Sequence, residues 1–192
     1  TGFLLRISKT NFTSGGSEFK DISTSATGYA GIVEDNDSVY LVSNSSTNGK
    51  VVKVSKSDYS GSYETLDLKS NFGNKLVGFG GITQDSEFIY LAPKTNAYMA
   101  RVRKSPFDLS GVFVFKLDEN SLLGSTMDVE SIVVENGTVY LGADKEFFGV
   151  LTRVDTIRKP RDVHGGNVII EPWNSDTDVY LYGNKDISLS DV

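Results

Sequence analysis

Three copies of one short block recur along this chain at a spacing of about fifty residues, and that repeat limits the fold more than any other feature. Gly31-Ile32-Val33 leading to Val39-Tyr40-Leu41 returns as Gly81-Ile82-Thr83 leading to Ile89-Tyr90-Leu91. It returns again as Ser131-Ile132-Val133 leading to Val139-Tyr140-Leu141. A looser fourth copy runs from Asn167-Val168-Ile169-Ile170 to Val179-Tyr180-Leu181. Such a period belongs to stacked or radial architectures, in which each unit buries its apolar faces only against its neighbours.

Within each period the residues read as strands. Runs such as Val51-Val52-Lys53-Val54 and Val112-Phe113-Val114-Phe115 are bounded by Gly, Asn, Asp and Ser. The 19 glycines suit a chain of many turns, and no long stretch carries a helical period. The best helical candidate, around Asp118 to Gly124, is short. Four strands fit one period. In the second unit they are Phe79 to Thr83, Phe88 to Ala92, Tyr98 to Arg103 and Val112 to Leu117. The first unit matches with Tyr29 to Val33, Val39 to Val42, Lys50 to Ser55 and Tyr63 to Leu68.

The two ends complement each other. Gly2 to Lys9 copies the third strand, Gly49 to Lys56, and Phe19 to Ile22 follows as a fourth strand. Val168 to Tyr182 supplies only a first and a second strand. Four strands in about fifty residues is the blade of a β-propeller. The expectation is an all-β, single-domain propeller of four antiparallel blades over residues 1–192. Whole units fall at 28–68, 77–118 and 127–163, and a split unit joins 1–22 to 166–184. Joining the halves removes the edge that an incomplete sheet leaves exposed. A fragment of a larger propeller is the main alternative, with a β-solenoid or a sandwich behind it.

The glycine-to-Tyr-Leu pattern, followed by a Val-x-Arg/Lys-Val strand, resembles uncharacterised β-propeller repeat proteins over nearly the whole chain. The named classes fit less well. No Trp-Asp pair ends a unit, unlike typical WD40 repeats. Gly80-Gly81 and Gly165-Gly166 resemble kelch glycines without the rest of that pattern. Ser57-Asp58-Tyr59-Ser60-Gly61 sits where a sialidase-type Asp-box would, with the wrong spacing. Four-bladed closure is similar to hemopexin-like domains in architecture only.

Composition narrows the function. Of 192 residues, 39% are hydrophobic and 23% charged, which suits a soluble domain with a sizeable core. No apolar run has the length of a membrane span, so membrane insertion is not expected. A net charge of −6 argues against nucleic acid, which is held by clustered Lys and Arg. The basic clusters Arg101, Arg103, Lys104 and Arg158, Lys159, Arg161 are expected on solvated strand faces or loops. Without cysteine the chain has no disulfide, no thiolate metal site and no cysteine nucleophile. The first residue is not Met, so a processed form or a fragment is expected. Loops rich in Ser, Thr, Asn and Gly then suggest an extracellular or cell-surface setting.

Candidate site residues are few. The turns between first and second strands are acidic, and Asp and Asn suit such turns by bonding their own backbone. A second role for Asp35, Asp85, Glu135 and Glu171 is a ring of carboxylates around an axial cation such as Ca²⁺, which takes six to eight oxygen ligands. His164 is the lone histidine, beside Gly165-Gly166, so neither a multi-histidine metal centre nor a triad without it is available. Trp173, on a longer loop, is a candidate for sugar stacking, protein contact or a plug between units. Asn11, Asn44 and Asn136 open Asn-x-Ser/Thr glycosylation sequons. No catalytic signature appears and no cofactor is expected beyond the Ca²⁺ candidate. The expected function is a non-catalytic binding or scaffold module presenting loops to a protein or glycan. A glycan-binding lectin and a hydrolase with carboxylates at the channel mouth are the alternatives, the latter resting on carboxyl separation in space.

Overall fold

A computed structural model describes residues 2–23, 26, 28–117, 128–145 and 148–155. The fold is mostly strand, in several antiparallel sheets. A hairpin comes first: β1 (Phe3–Ile7) pairs with β2 (Ser17–Asp21). The first four-stranded sheet holds β3 (Tyr29–Glu34), β4 (Ser38–Ser43), β5 (Lys50–Ser55) and β6 (Tyr63–Asp67). A short helix, α1 (Leu68–Phe72), leads to the second sheet. This contains β7 (Phe79–Gln84), β8 (Phe88–Pro93), β9 (Tyr98–Arg103) and β10 (Val112–Lys116). A third sheet contains β11 (Asp128–Glu135), β12 (Thr138–Lys145) and β13 (Phe148–Asp155). Strands pair in chain order within every sheet, as short hairpin connections dictate.

The repeat extends to register. Val33↔Tyr40, Thr83↔Tyr90 and Val133↔Tyr140 are paired residues in the three sheets. Each first strand also carries a bulge at the same place, between Tyr29 and Gly31, Phe79 and Gly81, and Val129 and Ser131. A bulge adds twist to its strand. These first strands adjoin one another, β3 beside β7 and β7 beside β11. Small residues allow that approach. A Cβ on Gly31 would meet the Ile82 methyl Cγ2 at 2.8 Å, and one on Gly81 would meet the Ile132 Cγ2 at 3.2 Å.

Three apolar layers lie between consecutive sheets. Leu4 and Ile22 of the hairpin region pack with Leu41, Val52 and Val54 of the first sheet. Tyr40, Val42 and Val51 pack with Ile89, Leu91 and Val102 of the second. Tyr90, Ala92 and Met99 pack with Val129, Val139 and Leu141 of the third. Successive residues of β8 therefore serve opposite layers: Ile89 and Leu91 face the first sheet, Tyr90 and Ala92 the third. That is the period of two expected of a strand buried on both faces.

Some expectations need correcting. The fourth strand of the N-terminal pair spans Ser17–Asp21 rather than Phe19 to Ile22. Ile22 has left the ladder but is fully buried, and its amide donates to the Gly2 carbonyl at 2.9 Å. Helix α1 was not legible in the sequence. Five residues are too few for periodicity, and it is set by its ends. Asp67 accepts from the Ser70 amide as an N-cap, and Gly73 at φ 61° stops it. The helical candidate around 118–124, the fourth strand of the third unit and residues 166–184 lie outside the described residues. Among the described residues the sheets do not close into a ring, and no blade count follows from them.

Candidate functional site

The turns joining first and second strands line up along the repeat, and their chemistry divides by residue. In the β3–β4 turn, Asp35 Oδ1 accepts from the amides of Asp37 (3.0 Å) and Ser38 (2.9 Å). Its Oδ2 accepts from the Tyr40 hydroxyl at 3.2 Å. The β7–β8 turn repeats this: Asp85 Oδ1 accepts from Glu87 (2.8 Å) and Phe88 (2.7 Å), and Oδ2 from the Tyr90 hydroxyl at 2.5 Å. One Asp thus holds its own turn and anchors the buried tyrosine five residues later.

Glu135 occupies the same place in the third sheet, but its turn is built differently. Glu135 pairs with Thr138, and Asn136 and Gly137 take left-handed conformations at φ 49° and 73°. Asn-Gly suits this two-residue hairpin turn because Asn tolerates positive φ and Gly adopts it freely. Asn136→Ala is expected to cost about 1 kcal/mol, from the left-handed strain of a residue with a Cβ. Asn136→Gly should leave stability within about 0.5 kcal/mol of the parent, as is usual at sites free of special contacts. Urea unfolding of the two variants checks this pair of outcomes.

Lys104 ties the Asp turns together across the sheets. Its Nζ donates to the Asp85 carbonyl at 2.6 Å and lies 3.3 Å from Asp35 Oδ2. It also stands 5.9 Å from the centre of the Tyr40 ring, and its side chain is 9% exposed. Partial burial pushes the Asp35 carboxyl up, but the amides of Ser38 and Asp37 and the Lys104 charge outweigh it and hold it below its ordinary value. Burial, with the Asp35 charge second, pushes the Tyr40 hydroxyl up to about 12. In the first unit Lys56 takes the Lys104 position, donating to the Asp35 carbonyl and pairing with Glu34.

A second tie uses aromatic rings. In the loop after β5, Tyr59 reaches back to the hairpin, where its hydroxyl donates to the Leu4 carbonyl at 2.8 Å. The Arg6 guanidinium lies 4.5 Å from its ring centre. In the loop after β9, Phe107 reaches back to the first sheet, 6.0 Å from the Tyr40 ring and 5.4 Å from Lys53 Nζ. The segment Ser57 to Gly61 therefore carries a clamp between sheets.

Of the basic cluster Arg101, Arg103 and Lys104, Arg101 and Lys104 are buried, contrary to expectation, while Arg103 stays partly exposed. Arg101 is 3% exposed, with its guanidinium 4.3 Å from the Phe88 ring centre and 4.8 Å from that of Phe113. Two aromatic faces compensate the lost hydration of a delocalised cation. Charge runs usually mark surface, and nothing in the run itself reveals the flanking rings. The cross-strand alternation of Phe88 and Phe113 around Arg101 was the available signal.

Of the proposed carboxylate ring, Asp35, Asp85 and Glu135 lie among the described residues. Asp35 and Asp85 are engaged by their own turns. Among the described residues no group of three or more His, Asp or Glu could hold a metal ion. Glu171, His164 and Trp173 lie outside the described residues. Asn11 is exposed, and its Oδ1 accepts from the Thr13 hydroxyl at 2.7 Å. Asn44 is half-buried, its amide donating to the Gly28 carbonyl at 2.6 Å. Asn136 is exposed in its turn.

One apolar groove of about 380 Å³ opens between the hairpin and the first sheet. Leu4 and Leu5 form one wall, Ile32, Val33 and Val39 the other, and Tyr59 closes part of it. Arg6, Glu34 and Lys56 supply its charged margin. No known protein family matches the chain, and no curated protein is similar enough to match it.

Proposed function

We propose that the chain is a non-catalytic binding module built on a four-bladed β-propeller, presenting its loops to a protein partner. The pattern of exposed apolar residues supports the four-bladed reading. Ile32 is 56% exposed, whereas Ile82, its counterpart one sheet on, is 8% exposed against the sheet before it. Leu5 is 46% exposed, whereas its counterpart Val52 is fully buried. Phe19, paired with Leu5 across the hairpin, and Val133 on the third sheet are also exposed. Ile32 and Val133 lie on faces that a split fourth blade of 1–22 with 166–184 would cover, and Leu5 and Phe19 belong to that blade's own hairpin, on the face the third sheet would cover. The groove between β1 and β3 is where the first strands of that blade would enter.

The observation that carries the binding role is the use made of ionisable groups at the turns. Asp35, Asp85, Lys56 and Lys104 are all spent on fixing backbone or on joining sheets. A catalytic carboxylate or lysine needs freedom to meet substrate and change protonation. These groups instead build a rigid frame, from which loops of differing length project.

The test runs two assays side by side. Chromogenic glycosides and esters are incubated with the protein, and glycan binding is measured on an array. Neither turnover above buffer nor retained glycan is expected. Turnover abolished by Glu34→Gln would replace this reading with the hydrolase. Saturable binding to one glycan class would replace it with the lectin.

A further inference from the structure

The aromatic ties between sheets follow a rule, and one copy lacks its seat. In each sheet a second-strand tyrosine pairs with a third-strand cation: Tyr40↔Lys53, Tyr90↔Arg101 and Tyr140↔Arg153. Arg6 holds the matching position in the hairpin, where Gly2 to Lys9 copies Gly49 to Lys56. The loop after each third strand sends an aromatic back to the preceding sheet. Tyr59 lies under Arg6, and Phe107 beside Tyr40 and Lys53. The same alignment places Phe12 where Tyr59 and Phe107 stand, four residues after Ser8 as they are after Ser55 and Arg103. Phe12 is 80% exposed, the most exposed of the large apolar side chains described.

We infer that Phe12 is an intramolecular clasp, by which the N-terminal hairpin docks on the third sheet at Tyr140 and Arg153. This rests on the four-bladed reading, in which the third sheet precedes the hairpin around the ring. Three observations select this seat over a second copy of the chain. Each known clasp reaches the immediately preceding sheet of its own chain. Tyr140 and Arg153 keep the aromatic–cation pairing that seats Phe107. Leu5 and Phe19 on the hairpin, and Val133 on the third sheet, are left exposed on the faces that this docking would bring together. Arg153, paired in register with Tyr140, is the counterpart of Lys53, which stands 5.4 Å from the Phe107 ring centre, a contact in which the ring's quadrupole draws the cation in.

Two measurements separate the clasp from the ring. The chain has no cysteine, so Lys9→Cys with Glu135→Cys gives one defined pair on exposed residues. These are the counterparts of Lys104 and Asp35, whose side chains meet at 3.3 Å. A short bismaleimide should join them within one chain, read by intact mass and proteolytic mapping. The second measurement is a double-mutant cycle of Phe12→Ala with Arg153→Met by urea unfolding. It should show coupling of about fivefold in the folded-to-unfolded ratio, the scale of a cation–ring contact at a partly buried site. Intrachain linkage with coupling supports the clasp. Intrachain linkage without coupling keeps the ring and overturns the clasp. Linkage between chains assigns Phe12 to a second copy and overturns the proposal, and no linkage overturns ring and clasp together.

Discussion

Gly80→Ala is expected to destabilise the fold by about 3 kcal/mol or more, one of the largest single-residue losses in the chain. An ideal Cβ on Gly80 would sit 1.7 Å from the Val129 carbonyl oxygen and 2.9 Å from its carbon. Both atoms are backbone of β11, so no side chain can turn aside. Relief requires β7 and β11 to separate, which opens the layer where Tyr90 and Met99 meet Val129 and Leu141. At roughly 2–4 °C per kcal/mol for a domain of this size, the melting temperature should fall by roughly 6–12 °C. Gly31→Ala is the control. Its added methyl would meet the Ile82 Cγ2 at 2.8 Å and the Ile82 amide nitrogen at 3.2 Å, a much looser clash with backbone than at Gly80, so a smaller cost of about 1–2 kcal/mol is expected. If Gly80→Ala melts with the parent protein, the close approach of β7 and β11 is wrong.

That contrast shows what the sequence reveals and what it hides. The first-strand glycines were visible as a repeat, and so were the strands. Period-two alternation and turn residues mark them directly, which is why β3 to β5 and β7 to β9 fall within a residue or so of expectation. Gly80 and Gly81 look alike as letters, yet one faces backbone and the other the methyl of Ile132. Only the packing of neighbouring strands separates them. The same holds for Lys104 and Arg101. A short basic run reads as solvent-facing because most such runs are, and the rings and carboxylate that bury this one come from other strands and another sheet. The turn role of Asp35 and Asp85 was legible because Asp bonds its own backbone locally. The clamps of Tyr59 and Phe107 were not, because each partner lies in a preceding sheet about fifty residues away in the repeat.

Lys104→Met is expected to cost about 2 kcal/mol, within the range for losing hydrogen bonds made by a charged group. Methionine keeps an apolar stem over Tyr40 and removes only the ammonium. Asp35, whose side chain is 27% exposed, then keeps its turn amides but loses its cation, while the Asp85 carbonyl loses a donor. The pH dependence identifies the cause. Asp35 is held below its usual 3.8, so its contribution is present above that value and disappears as pH falls through the lower folded-state value. The stability difference between the parent and Asp35→Asn should therefore be full at neutral pH and shrink as pH drops below 3.8. In the Lys104→Met background the carboxyl rises towards its usual value, and the difference should be smaller at neutral pH. Tyr40 has the opposite sign. Its hydroxyl is raised from 10.0 to about 12, so its contribution is complete below 10 and is lost as pH climbs towards 12. Thermal melts across both pH ranges, on the parent, both single variants and the double variant, read all of this from one set of samples. Additive losses for Lys104→Met and Asp35→Asn, with unchanged acid profiles, would show that the two side chains do not act together and that other contacts hold the first and second sheets.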